Sequence, residues 1–133
     1  MDICSEIRSA RWPGSTRCGV LHGRMSLVEV ARAFELGDDP SIYRSIGRAE
    51  ADAIATRLLT TALAYPSDIM SSSRAADLWQ RFMAPFRGQD VSFFTNCADD
   101  AQSWTPATDA TFDMGILVIG PTRAGCLWVE EED

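Results

Sequence analysis

Lysine is missing altogether: all twelve basic residues in the 133-residue chain are arginines. A GC-rich gene, in which Arg and Ala codons are favoured, would give such a bias, and the absence of lysine excludes Schiff-base chemistry through a lysine amine. Histidine is almost as scarce. His22 stands alone, so a Ser-His or Cys-His nucleophilic mechanism has one residue from which to draw its base. The four cysteines, Cys4, Cys18, Cys97 and Cys126, form no CxxC pair and no zinc-type spacing. Free thiols in a reducing compartment are the expectation. No apolar run reaches the roughly 18 residues of a membrane span, and no signal-peptide-like apolar region opens the chain. The chain therefore reads as cytoplasmic, with no membrane partner. Phosphate-binding GxxxxGK[ST] and GxGxxG loops and the HExxH metal motif are absent too, and nothing calls for a cofactor. There is no internal repeat and no low-complexity tract.

What is present is the composition of a folded protein, 46% hydrophobic and 23% charged, in a length that suits one domain. Its charge is unevenly placed. Residues 1–24 hold four arginines against two acids, residues 25–88 seven against eight, and residues 89–133 one against nine. The net charge of −7 thus resides in the C-terminal third. Such a block repels phosphate backbones and attracts cationic surfaces, which argues against direct nucleic-acid binding and for a basic protein partner.

Residues 1–24 show no sustained apolar period and contain Pro13, Gly14, Gly19 and Gly23, the pattern of a loose leader. Met25, directly before a helix cap, is then a candidate natural start, which the intact mass of protein made from the native gene would test. Ser26 and Glu29 have capping-box spacing, predicting a helix over 26–36 with Gly37 beyond it. Asp39 suits an N-cap and Pro40 a first helical position. Ile42, Ile46, Ala49, Ala53, Ile54, Leu58, Ala62 and Tyr65 recur near every 3.6 residues, predicting a second helix that ends at Pro66. A third begins near Ser72 or Ser73 and carries Leu78, Trp79, Phe82 and Phe86 on one stripe. Beyond Gly88 the pattern turns strand-like: "VSFFTN", then "GILVIG" and "CLWVE" joined by the hairpin loop "GPTRAG". The unbroken run Ile116–Leu117–Val118–Ile119 predicts a central strand covered on both faces. The expected fold class is α+β: one domain over 25–133, with three N-terminal helices packed on a small C-terminal antiparallel sheet.

Asp99, Asp100, Asp109 and Asp113 fall in the segment after the first expected strand. Carboxylates so grouped could serve acid/base or oxygen-ligand metal chemistry, although they match no calcium loop and are equally what solvated turns contain. Cys126, opening an apolar strand, suits a small core residue, and a reactive thiolate at Cys97 or Cys126 would need a nearby cation. Trp79, at helical spacing, belongs to a core. Trp104, in a polar loop, either folds back on the sheet or stands exposed as an aromatic anchor. Glu130, Glu131, Glu132 and Asp133 protect an apolar edge strand from mispairing, but eight net negative charges in 45 residues exceed what that protection needs.

The stretch "SWTPATDATFDMGILVIGPTRAGCLWVEEED" resembles the ends of small cytoplasmic immunity proteins encoded beside bacterial polymorphic toxins, in which a Trp-containing loop, a two-strand hairpin and an acidic tail recur. It covers about a quarter of the chain. The resemblance implies a non-catalytic protein that occludes the active site of a basic toxin domain. Asp99, Asp100, Trp104, Asp109, Asp113 and Glu130 to Asp133 would form the contact surface, with no catalytic residue, no metal and no cofactor. A small metal-assisted enzyme using the loop aspartates and an assembly subunit of a larger complex are the alternatives.

Overall fold

The computed structural model describes residues 2–99 and 103–133. Within them lie four α-helices and a five-stranded antiparallel sheet, a mixed α+β architecture. In chain order the elements are α1 (Ile3–Ala10), β1 (Ser15–His22), α2 (Leu27–Ala33), β2 (Arg44–Ile46), α3 (Arg48–Thr60), α4 (Ser72–Met83), β3 (Ser92–Thr95), β4 (Phe112–Ile119) and β5 (Arg123–Glu131). The strands lie side by side in the order β1-β5-β4-β3-β2. Two strands, β1 and β2, are therefore interspersed among the helices, whereas the sequence pattern places helices first and strands last.

The central strands alternate as a pleated sheet must. Met114, Ile116 and Val118 of β4 and Leu127 and Val129 of β5 point to one face, where α1, α3 and α4 bring Ile7, Leu58, Leu78, Trp79 and Phe82. Leu117, Ala124, Cys126 and Trp128 point to the other and meet Val30 and Ala31 of α2 together with Leu36, Tyr43 and Ala107. The run at Ile116 is thus covered on both sides. Gly115 belongs to this arrangement, because a Cβ there would run into the Trp128 ring and the Leu127 carbonyl.

Local chemistry explains several boundaries. Ser26 and Glu29 form the expected capping box, each side chain accepting from the other residue's backbone N–H. The Ser71 hydroxyl accepts from the Arg74 N–H and starts α4. Asp39 does cap a turn, accepting from the Ser41 N–H at 3.0 Å. That turn, Pro40–Ile42, is a single 3-10 turn followed by β2. The long second helix is accordingly corrected to a turn, a strand and α3, which starts after Gly47. Ile42 packs into one core and Ile46 into the other, so their apparent helical spacing joins residues on opposite faces of the sheet. Tyr65, placed on that helix's apolar stripe, is 70% exposed.

The loose leader expected over residues 1–24 is overturned as well. Asp2 accepts from the Ser5 N–H at 2.9 Å and starts α1, and β1 pairs along its whole length with β5, from Ser15 opposite Glu130 to His22 opposite Arg123. Ile7 is fully buried.

Candidate functional site

Strand β5 ends on Glu131, which is 3% exposed although it is ionisable. Its burial is compensated from two directions. The Arg11 guanidinium, from the C-cap of α1, donates to Glu131 Oε2, while its other N–H groups reach the Leu58 and Pro13 carbonyls. Leu63 N–H donates to Glu131 Oε2 at 2.9 Å and Ala64 N–H to Oε1 at 3.1 Å. A buried ion pair is tolerated only when its remaining donors and lone pairs are satisfied in this way, and breaking one partner strands the other charge. The knot pins three segments: the α1–β1 link, the link after α3, and the end of β5. Gly14 completes it. Its φ of +85° is left-handed, and a Cβ there would collide with the Glu130 carbonyl.

Directly beside this knot stand Trp12, 75% exposed, and Tyr65, 70% exposed, the exposed large apolar side chains among the described residues. Trp12 follows Arg11 and Tyr65 follows Ala64, so each aromatic is displayed one residue from a group fastened to Glu131. Further acids lie at the same end of the sheet, where β5 finishes. Glu130 is half-buried and pairs with Arg17 at 2.9 Å. Glu132 is exposed, and its carboxylate accepts from the Thr111 N–H at 3.3 Å and from the Thr111 hydroxyl. Asp133 and Asp109 are exposed. A cleft of about 340 Å³ at this end is lined by Gly14, Ser15, Ala110, Glu130, Glu131 and Glu132.

The acids named from the sequence thus divide. Glu130, Glu132 and Asp133 lie at the end of β5, Glu130 paired with Arg17 and Glu132 with Thr111, and Asp109 lies in the 105–111 loop. Glu131 is their anchor and is out of reach of a partner surface. Asp113 is fully buried in β4, where its carboxylate accepts from Ala107 N–H at 3.0 Å, Trp128 Nε1–H at 3.0 Å and Asn96 Nδ2–H at 3.2 Å. It holds the 105–111 loop down and is also removed from any contact surface. Asp99, with a side chain 95% exposed, lies near Arg44 at 3.4 Å, towards the β2 side of the sheet. Asp100 lies outside the described residues. Trp104 folds back: it is half-buried, bridges to Cys97 and packs on Phe112 with ring centroids 5.4 Å apart.

Sequence reasoning missed Trp12 and Tyr65, and a shared signal was present. Each is followed by proline, which holds the preceding residue in extended backbone and away from a helix face.

Among the described residues no three His, Cys, Asp or Glu side chains converge as a metal site requires. Cys97 and Cys126 lie in the cores on opposite faces of the sheet, and burial pushes both thiols up, away from reactivity. No helix among the described residues is long and apolar enough to cross a membrane. Comparison of the chain with family models, with curated proteins and with solved structures finds no match.

Proposed function

We propose that this protein is a non-catalytic, acidic binding protein of the cytoplasm that takes up a basic protein partner at the Trp12–Tyr65 end of the sheet. Following the resemblance of its C-terminal quarter, the partner is a toxin domain whose active site the acidic surface occludes. One observation carries the reading: two exposed aromatics each sit one residue from a group bonded to the buried Glu131 carboxylate, at the end of the sheet where β5 runs out into the exposed acids Glu132 and Asp133. Rigid aromatic anchors supply contact area at low entropic cost and set complex lifetime, while surrounding charge accelerates encounter with a cationic partner.

The experiment is affinity capture on the full chain at low and high salt, followed by association kinetics with the retained protein and with the product of the adjacent gene. A stoichiometric basic partner is expected, with an association rate that falls as salt rises. Trp12→Ala and Tyr65→Ala each weaken binding by roughly tenfold or more, with the unfolding midpoint unchanged. A partner whose association ignores salt and both substitutions would overturn the proposal.

A further inference from the structure

Cys4, in the first turn of α1, and Cys18, in the middle of β1, are both buried, and their sulfurs lie 2.9 Å apart, with the Cys18 thiol donating to the Cys4 sulfur. Two unbonded sulfurs ordinarily rest farther apart than this, and a disulfide bond is only about 2.05 Å long. Closing the remaining gap therefore needs a small side-chain adjustment, not a movement of either element. Packing fixes the approach, because α1 lies on β1 and Arg8 of α1 donates to the Cys18 carbonyl at 2.8 Å. We infer that Cys4 and Cys18 form a reversible dithiol/disulfide pair, a modification site on the α1–β1 unit.

The step is thiol–disulfide exchange with a low-molecular-weight disulfide of the glutathione class. The Cys4 thiolate attacks one sulfur of the oxidant, breaking its S–S bond, forming a mixed disulfide and releasing one thiolate. Cys18 loses its proton, attacks the Cys4 sulfur and displaces the second thiolate. The protein gives up two electrons and two protons, and one oxidant molecule becomes two thiols. Division of labour follows from the surroundings: the Cys18 hydrogen bond and the Arg8 charge hold the Cys4 thiol below its usual range, whereas Cys18, facing Cys4 from a buried position, is pushed up. A cleft of about 330 Å³ lined by Arg8, Thr16, Arg17, Cys18, Ala33, Phe34 and Glu35 reaches the pair from the Cys18 side, with the Arg8 guanidinium at its wall. The crosslink would close the segment that carries Arg11, Trp12 and Gly14, so the oxidised chain should resist unfolding better than the reduced one. None of this depends on the binding reading.

The test uses the full chain equilibrated with defined mixtures of reduced and oxidised glutathione, then denatured, alkylated and digested with trypsin. Cleavage after Arg8 and Arg17 separates the two cysteines, so a crosslink joins the peptide ending at Arg8 to the one beginning at Cys18. Expected are a fall from four alkylatable thiols to two, that one linked peptide pair, reversal by excess reduced glutathione, and a higher unfolding midpoint for the oxidised chain. Cys97→Ser and Cys126→Ser should leave the link intact, and Cys4→Ser or Cys18→Ser should abolish it. Four thiols remaining after oxidation, glutathione adducts without the internal link, or a link elsewhere would each overturn the assignment. The peptide map of the unsubstituted chain decides even if a variant misfolds.

Discussion

Asp113 and Glu131 belong to the same acidic third as Asp99 and Asp109, yet the two pairs live in different solvents. The first two are buried at the ends of paired strands, each carboxylate supplied with several N–H donors. The second two stand exposed, and the nearest cation to Asp99, on Arg44, is 3.4 Å away. Residues of one type in one stretch thus do opposite jobs. Buried carboxylates draw the backbone together around them, and exposed ones set the field that a partner would meet. Net charge by itself says nothing about that division, which is decided by the donors within reach.

The comparison can be broken most severely by removing residues 1–24. This deletes Arg11, strips β5 of one of its two neighbours and leaves Glu131 without its cation, so loss of cooperative thermal unfolding is expected. A sharp transition in the truncated chain would mean that the buried pair is dispensable. Next is Glu131→Ala, which orphans Arg11 and two backbone N–H groups and should cost about 3–5 kcal/mol in chemical denaturation. Asp113→Asn keeps the shape but turns part of the acceptor set into a donor facing other donors, and a loss of about 1–3 kcal/mol is expected by the same measurement. Smallest should be Asp99→Asn with Asp109→Asn, within about 0.5 kcal/mol of the parent in stability. If their effect rivals that of Asp113→Asn, the division into scaffold and surface acids is wrong.

The elements that were legible are those whose signals are local. The β4–β5 hairpin follows from a turn flanked by apolar strands, and the α2 start from two side chains three residues apart. Folding back was one of two fates open to Trp104, and the Phe112 ring beneath it decided the matter. The N-terminal part was opaque for equally physical reasons. Strand β1 has one neighbour and is mostly half-buried, so its apolar pattern is thin. Arg11 looks like a surface residue until Glu131, far along the chain, is beside it. The misread second helix shows the opposite hazard, a convincing period assembled from residues that pack on two different faces. Glu131 was recognised as one acid of a charged tail, but its burial depends on Leu63, Ala64 and Arg11, none of which is its sequence neighbour.

The joining of Arg11 to Glu131 spans 120 positions of chain, and that span has a consequence in time. On a ribosome, α1 and β1 emerge well before β5, the strand β1 lies against. Closing so long a loop costs chain entropy before any contact rewards it, and topologies dominated by such pairings fold slowly. The pairing of β1 with β5 is therefore expected to close late, leaving the flank of β5 open to other chains until it does. Four acids in succession at the end of that strand keep it soluble during the wait.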